Sequence, residues 1–204
     1  MKLHILGNKE IVKEIMENFP QIEWIITEHL EEAIADTTSD IIINLNDDAI
    51  ATDYHATNKI VLVNAVSEKL SDYHHGENIV RINGWNGFLT RKIWELSGRN
   101  NEALDALAST CGLTFKWLPD EPGFTSPRVI SMIINEAFFA LEQSVSTQPD
   151  IDIALKLGTN YPMGPFEWAE KIGLQRVNEL LEKLTLQSDI YKPSALLFEK
   201  SKEI

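Results

Sequence analysis

The sequence has a single cysteine and no apolar run long enough to span a bilayer. One cysteine, Cys111, excludes an internal disulfide framework and fits a reducing cytosol. In an apolar surround we expect this thiol to be an inert core side chain. The start, MKLHILGN, lacks the charged, apolar and small-residue regions of a signal peptide. These absences favour a cytoplasmic protein without a membrane partner.

Basic residues are the second deficiency. The chain has 18 lysines and arginines against 31 aspartates and glutamates, so its formal net charge is −13 at pH 7. Such a charge opposes nucleic acid and anionic membranes as partners, and also a polyphosphate ligand unless basic residues gather locally. One stretch gathers four basic residues around a single acid, Glu95, and we call them the basic island: Arg81, Arg91, Lys92 and Arg99.

The first part of the sequence alternates short apolar runs with helical segments. The runs that predict strands are Lys2–Leu6, Ile22–Ile26, Ile41–Leu45, Lys59–Val63, Ile79–Ile82 and Leu113–Trp117, with Phe88–Leu96 extending the sheet edge. The helical segments are Lys9–Phe19, Glu31–Ala35 and Asn101–Thr110. Strands that alternate with helices predict an α/β fold with a parallel sheet and right-handed crossovers.

A turn-rich segment, Pro119–Gly123, marks the predicted domain boundary. Every later segment is predicted to be helical. Ser126 is the predicted N-cap of a long apolar helix, with Pro127 at its first position. The other predicted helices are one capped by Asp150 and ending at Gly158, one opened by Pro165, and two over Gln175–Leu186 and Ser194–Lys202. We expect an α/β domain over residues 1–121 and an all-helical domain over residues 122–204.

The helical part carries a specific set of motifs. They are Pro122-Gly123-Phe124 with Arg128, Asn135-Glu136-Ala137, Asp150-Ile151-Asp152, Gly158 to Trp168 (GTNYPMGPFEW), and Ile172-Gly173-Leu174. In order and spacing they resemble the C-terminal domain of the 3-hydroxyacyl-CoA dehydrogenases. The resemblance implies a helical domain that pairs with its twin and closes one side of an acyl-CoA cleft. A purely architectural interpretation of the same motifs, as a tight inter-helix turn and core residues, is compatible with it.

Residues 81–95 resemble the same family more weakly, which implies a shortened Rossmann-like first domain. The family pattern places a histidine base before two aromatics and an asparagine, with a glutamate twelve residues later to hold the base. This sequence keeps Asn86, Lys92 and Glu95, but Asn83 stands at the histidine position. An amide has no usable pKa near neutrality, and a positioned base contributes about 10² to 10⁴ in rate. The implied catalytic pair is therefore Asn83 and Glu95, with the base lost.

The substrate positions implied by the resemblance are only partly kept. The turn after the fourth strand keeps Asn64 and Ser67, but Val66 replaces its central hydroxyl. Pro127 stands where the family has an asparagine that helps to hold the substrate carbonyl, and proline cannot donate a hydrogen bond. The predicted substrate-binding residues are Asn64, Ser67, Asn86, Arg91, Lys92 and Phe124.

The cofactor implied by the resemblance is NAD, which needs a G-x-G-x-x-G turn between the first strand and helix. The sequence there reads GNKEIV from Gly7, so only the first glycine remains. Asn8 is predicted to cap the helix, and a phosphate at that end would meet Glu10. Glu28 is the candidate for a ribose-binding acid, and Asn44 replaces a glutamate after the third strand. We therefore do not expect NAD to bind in its usual mode. We assign no other cofactor and no metal.

Three functions remain open from the sequence. The first is a non-catalytic or strongly impaired dehydrogenase-like protein of acyl-CoA metabolism that binds at most an acyl-CoA or a partner. The second is a residual NAD-dependent 3-hydroxyacyl-CoA oxidoreductase with Glu95 or His75 as base. The third is a dimeric scaffold without a ligand, because a small domain can hardly bury the apolar helix Val129–Leu141 alone. We favour the first, as a homodimer.

Overall fold

The computed structural model of the protein describes residues 1–203. The chain forms two compact units, of which the first is Met1–Phe124 and the second begins at Thr125. The first unit is a seven-stranded sheet with helices, and the second is helical. The predicted fold class, a mostly parallel α/β sheet followed by helices, is confirmed.

The sheet of the first unit has the strand order β2-β1-β3-β4-β5-β6-β7. Its strands are β1 (Lys2–Leu6), β2 (Glu23–Ile26), β3 (Ile41–Asn44), β4 (Ile60–Asn64), β5 (Ile79–Ile82), β6 (Ile93–Ser97) and β7 (Thr114–Trp117). All neighbours are parallel except β5 and β6, which are antiparallel. The strand expected to begin at Phe88 begins at Ile93. The link after β5 is too short for a crossover, so the chain turns back and β6 runs antiparallel to β5.

Helices cover both faces of the sheet, and its central strands are buried on both sides. The helices of this unit are α1 (Lys9–Asn18), α2 (Leu30–Ala35) and α3 (Glu102–Cys111). Ile41 and Ile43 of β3 pack with α1 and α3 residues, whereas Ile42 packs on the opposite face with α2. The core is therefore built from continuous apolar strands, as parallel sheets require.

The second unit contains five helices in its described residues. They are α4 (Thr125–Glu142), α5 (Gln148–Thr159), α6 (Pro165–Ile172), α7 (Leu174–Thr185) and α8 (Ala195–Lys200). Their apolar faces meet in a core of fully buried side chains that includes Ile134, Val177, Leu180, Leu181, Leu184 and Leu197. Within residues 1–203, no helix has both the length and the apolar character needed to cross a membrane.

Three expected helix ends of the second unit are wrong. Helix α4 begins at Thr125, so Ser126 lies inside the helix instead of capping it. Thr147, whose side chain accepts a hydrogen bond from the Asp150 amide, is the cap of α5. The same helix continues through Gly158 and ends at Asn160, which adopts the left-handed conformation with φ 57°. Asparagine tolerates that conformation better than most residues, so the helix does not need to stop at glycine.

Candidate functional site

The two positions predicted to be catalytic are brought together by the antiparallel pairing of β5 and β6. The side-chain amide of Asn83 donates a hydrogen bond of 3.0 Å to the Glu95 carboxylate, and the Asn83 backbone N–H donates to the Glu95 carbonyl at 3.1 Å. Asn83 is 2% exposed and Glu95 8%. The pair therefore keeps a donor–carboxylate frame, but the residue at the base position, Asn83, has a side-chain amide that donates a hydrogen bond and cannot act as a base.

Asn64, at the end of the neighbouring strand β4, completes this frame. Its side-chain oxygen accepts a hydrogen bond of 3.1 Å from the Gly84 amide. A Cβ atom at Gly84 would lie 2.6 Å from that oxygen, so only glycine fits beside Asn64. The carboxyl ends of β4 and β5 are thus joined through a buried side chain, close to the Asn83–Glu95 pair. We call Asn64, Asn83 and Glu95 the amide frame.

The other predicted substrate-binding residues are more dispersed. Ser67 is half-buried in the turn after β4, and Asn86 is half-buried in the link between β5 and β6. Phe124 is 2% exposed, and the Arg81 guanidinium carbon lies 4.9 Å from its ring centre. Phe124 is therefore a packing partner of a buried cation in this unit.

The four residues of the basic island lie in different surroundings. Arg81 is completely buried, and Arg99 pairs with Glu77 on the surface. The Lys92 ammonium group donates to the Cys111 carbonyl at 2.8 Å and lies 4.9 Å from the centre of the Phe19 ring. The Arg91 guanidinium carbon is 4.6 Å from the centre of the Phe88 ring. Burial lowers the pKa of Arg91, and the charge of Glu95 opposes this shift.

Arg81 has a structural role that the sequence did not reveal. Its guanidinium donates to the carbonyl of Ala65 at 2.9 Å and to the carboxylate of Asp120 at 2.6 Å. Two further contacts reach the carbonyls of Val66 and Glu121 at 3.4 and 3.2 Å. Burial lowers the pKa of Arg81, and the hydrogen bond with Asp120 raises it again. The turn after β4 is therefore fastened to the segment after β7.

Asp120 is the acidic partner of this buried cation. Desolvation raises its pKa, but hydrogen bonds from Arg81 and from the amides of Ser71 and Leu70 outweigh this effect and leave the pKa below its ordinary value. The two amides lie 2.9 and 3.0 Å from the carboxylate oxygens. Asp120 stays ionised at neutral pH and neutralises Arg81, so this arginine cannot serve a phosphate group.

The first loop does not fit a dinucleotide in the glycine-loop mode. Open α/β sheets bind such ligands where the strand order reverses, which in this sheet is the crevice between β1 and β3. There Leu45 packs directly on Gly7, so that a Cβ atom at Gly7 would lie 2.9 Å from the Leu45 Cβ. Asn8 accepts a hydrogen bond of 2.8 Å from the Glu10 amide, which confirms the predicted cap. The helix end is therefore satisfied by its own chain, and Glu10 would repel a pyrophosphate.

The neighbouring loops at the same edge reinforce this conclusion. Glu28 follows β2 as an exposed residue. Asn44, at the end of β3, donates a hydrogen bond of 2.9 Å to the Tyr54 hydroxyl, which donates to the Ala49 carbonyl at 2.8 Å. Burial raises the pKa of Tyr54 to about 12, although the hydrogen bond from Asn44 opposes the shift. The segment after β3 thus folds back on the strand end and closes it with its own polar groups.

His75 has no contact with the amide frame among residues 1–203. Its Nε2 atom lies 2.6 Å from the Ile50 carbonyl, which can only accept, so Nε2 carries a proton. Its ring stacks on Tyr73 with centres 5.7 Å apart. The alternative base therefore belongs to a separate aromatic cluster.

The buried histidine of β1 was not singled out from the sequence. His4 lies in β1, with Nδ1 2.7 Å from the Thr27 hydroxyl and Nε2 2.8 Å from the Asp36 carboxylate. The hydrogen bond from His4 and those from Thr38 hold the pKa of Asp36 well below its ordinary value. A histidine inside an otherwise apolar strand was the available signal, because a buried imidazole needs partners for both nitrogens.

Motif residues of the second unit form hydrogen bonds that connect its helices and loops. Asn135 donates to the Lys192 carbonyl at 2.9 Å and accepts from the Ser194 amide at 2.8 Å. Asp152 accepts from the Phe166 amide at 2.9 Å and lies so close to Gly164 that a Cβ atom there would overlap it. These motif residues are satisfied by backbone groups of their own unit, which supports their architectural interpretation.

Helix α5 is unusual because its single buried residue is an aspartate, Asp152. Its apolar residues Ile153 and Leu157 are 51% and 83% exposed. Beside it runs an open groove of about 700 Å³ between α4, α5 and α6, on whose floor Phe138 and Phe166 lie with ring centres 5.1 Å apart. The helix thus presents apolar side chains outward, next to an aromatic groove.

Comparison with known proteins assigns the second unit. Residues 123–203 match the family model of the 3-hydroxyacyl-CoA dehydrogenase C-terminal domain. Over 92 residues the chain is 41% identical to the 3-hydroxyadipyl-CoA dehydrogenase of Escherichia coli. This alignment covers 44% of this chain and 19% of that protein. Over 113 residues it is 39% identical to the probable 3-hydroxybutyryl-CoA dehydrogenase of Bacillus subtilis, covering 53% and 39%. These matches thus span well under half the length of either curated relative.

Solved structures show that the fold resemblance extends over both units. The 3-hydroxybutyryl-CoA dehydrogenase of Escherichia coli aligns with a TM-score of 0.72 at 16% identity, over 98% of this chain and 56% of that one. The (S)-3-hydroxybutyryl-CoA dehydrogenase of Ralstonia eutropha aligns with a TM-score of 0.69 at 18% identity, over 97% and 92%. At these identities the likeness concerns the fold.

Proposed function

We propose that this chain, whose residues 123–203 belong to the C-terminal domain family of the 3-hydroxyacyl-CoA dehydrogenases, is a dehydrogenase-like protein without hydride-transfer activity. The observation that carries the proposal is the hydrogen bond from the Asn83 amide to Glu95. Oxidation of a 3-hydroxyl group requires a base that removes the hydroxyl proton. An amide donor fixed on a carboxylate cannot remove this proton. Loss of the positioned base lowers the rate by a factor of about 10² to 10⁴.

The first loop supports the same proposal from the cofactor side. Hydride transfer also requires a nicotinamide held close to the substrate carbon. Leu45 packed on Gly7, the occupied helix cap and the acid Glu10 all oppose a pyrophosphate at the usual place. An enzyme that lacked only its base would keep cofactor affinity. This chain is expected to lack both.

The retained property that we propose is weak binding of an acyl-CoA at the amide frame. Asn64, Asn83 and Glu95 are buried and fixed, so they form a preorganised polar site. Because Arg81, Lys92 and Arg99 already have partners, the coenzyme phosphates gain little from the basic island. The affinity should therefore come from the acyl and thioester end of the ligand.

The test compares the native chain with two variants, Asn83→His and Asn83→His combined with Glu95→Gln. Titration calorimetry with NAD⁺, NADH and acetoacetyl-CoA measures binding, and the absorbance of NADH measures turnover of (S)-3-hydroxybutyryl-CoA. We expect heat from acetoacetyl-CoA alone. We also expect no NADH from any of the three proteins, because the imidazole restores the base but not the cofactor site.

Each departure from this pattern has a distinct meaning. NADH formed by the Asn83→His protein and lost in the double variant would show that a cofactor binds, which would overturn the first-loop argument. NADH formed by the native chain and abolished by Glu95→Gln or by His75→Ala would establish the residual oxidoreductase instead. If acetoacetyl-CoA at about 1 mM gives no heat, the ligand-binding part of the proposal is wrong, and a scaffold without a ligand is the remaining function.

Helix α5 supports a second part of the proposal, namely that the chain forms a homodimer through its second unit. Ile153 and Leu157 are four residues apart within α5, so they share one face of the helix, and the exposed Tyr161 follows the end of the helix. Soluble monomers rarely expose such a face next to an aromatic groove. A two-fold interface pairs identical surfaces, so the same apolar face of a second copy would cover this one.

A further inference from the structure

The link between β5 and β6 contains two asparagine–glycine steps, Asn83–Gly84 and Asn86–Gly87. Such a step can lose ammonia without an enzyme. The glycine nitrogen attacks the side-chain carbonyl carbon of the asparagine and forms a bond to it. The bond from that carbon to the side-chain nitrogen breaks, and this nitrogen takes up the glycine N–H proton and leaves as ammonia. Water then opens the resulting succinimide ring to aspartate or isoaspartate. The reaction requires a glycine N–H that is not engaged and an amide that can rotate toward it.

The first step, Asn83–Gly84, is locked by the fold. The Asn83 amide nitrogen is held by Glu95 at 3.0 Å, and its oxygen faces the Trp85 amide at 3.4 Å. The Gly84 N–H donates to the Asn64 side chain at 3.1 Å and to the Ile82 carbonyl at 3.0 Å. Both reacting groups are therefore engaged, and attack requires local opening of the buried frame.

The second step, Asn86–Gly87, has none of these restraints. Within residues 1–203 the Asn86 side chain makes no hydrogen bond, and its oxygen is buried without a partner. The Gly87 N–H likewise has no acceptor in the described part of the chain. Asn86 is half-buried, so water can reach the site. Gly87 adopts φ 84°, in a turn without a side chain that could hinder attack.

We propose that Asn86 is a site of spontaneous deamidation and that Asn83, three residues away, is protected from it. The nucleophile is the Gly87 nitrogen, the leaving group is ammonia, and the co-reactant is water. Each event replaces a neutral amide by a carboxylate on a chain whose net charge is already −13. The isoaspartate product also adds a backbone atom to the link that carries Asn83 toward Glu95.

The experiment incubates the purified full chain in mildly alkaline buffer, below its melting temperature, and withdraws samples over time. Trypsin releases both asparagines in one peptide, Ile82–Arg91, and fragment ions between the two positions assign the small mass increase to one of them. A sample taken at time zero corrects for reaction during digestion. We expect Asn86 to react about tenfold faster than Asn83 or more, a factor that corresponds to about 1.4 kcal/mol of local opening.

Two comparisons make the result decisive. In urea the fold is lost, and both asparagines should react at similar rates. The variant Asn64→Ala removes one acceptor of the Gly84 N–H and should raise the rate at Asn83 alone. The proposal is overturned if Asn83 and Asn86 react equally fast in the folded chain. It is also overturned if Asn86 is inert in the folded chain but reacts in urea.

Discussion

Among residues 1–203, Arg81 is the most deeply buried charged side chain, and its surroundings explain why it is tolerated. A buried cation is costly unless it is paired and its remaining N–H groups are satisfied. Asp120 provides the negative charge, while the carbonyls of Ala65, Val66 and Glu121 take the other donors. One side chain on β5 thereby holds two loops that are far apart in sequence.

The residue-scale prediction concerns the loss of this charge. Arg81→Met leaves the Asp120 carboxylate and the carbonyl groups without their donor, so the free energy of unfolding should fall by about 3 kcal/mol. Urea denaturation measures the change. Arg99→Met is the matched control, because the ion pair of Arg99 with Glu77 is 70% and 72% exposed and should contribute less than about 1 kcal/mol. Equal losses in the two variants would contradict the account of Arg81.

At the scale of elements, helices α5 and α6 are joined by a contact that only one glycine permits. The Asp152 side chain accepts from the Phe166 amide at the start of α6, and Gly164 leaves room for it. Lys156 and Glu167 add an ion pair between the same two helices. Gly158, in contrast, lies within α5 and has no atom near a Cβ position.

The element-scale prediction uses these two glycines as a pair. Gly164→Ala should destabilise the protein by about 1 to 3 kcal/mol, because its methyl group overlaps Asp152. Gly158→Ala should be neutral, or stabilising by up to about 1 kcal/mol, because alanine is the better residue inside a helix. Thermal unfolding of both variants distinguishes them. Destabilisation by Gly158→Ala would instead favour a left-handed residue at this position.

At the scale of the whole molecule, the proposed homodimer concerns the exposed apolar face of helix α5. A helix whose single buried residue is an aspartate gains little from packing on its own unit. A partner that covers its apolar face would change that balance, because burial of apolar area contributes about 25 cal/mol per Å². The exposed face of α5 is therefore the feature that supports the proposed homodimer.

The corresponding prediction is that Ile153→Ser combined with Leu157→Ser converts a dimer to a monomer. Light scattering at micromolar concentration measures the mass of both proteins. Leu186→Ser combined with Ile190→Ser is the control, since these side chains are 86% and 67% exposed elsewhere in the same unit and should leave the dimer intact. A native chain that is strictly monomeric, or a control that dissociates equally, would rule out α5 as the interface.

The sequence by itself determined what depends on local pattern. Apolar runs that alternate with amphipathic segments predicted the sheet and its crossovers, and the motifs after Pro122 predicted the family model that residues 123–203 match. The family resemblance of residues 81–95 also anticipated that Asn83 and Glu95 would meet, and the hydrogen bond between their side chains confirms it. The helix cap at Asn8 was also predicted from the local sequence.

Only the tertiary structure decided which distant groups meet. The basic island is compact in sequence, yet Arg81 is paired with Asp120, 39 residues away, and Lys92 with Cys111. Leu45 packs against Gly7 because β1 and β3 are neighbours in the sheet. The exposed face of α5 follows from the use of Asp152 as its inward anchor. Such contacts depend on the approach of remote segments, and a local pattern holds no information about that approach.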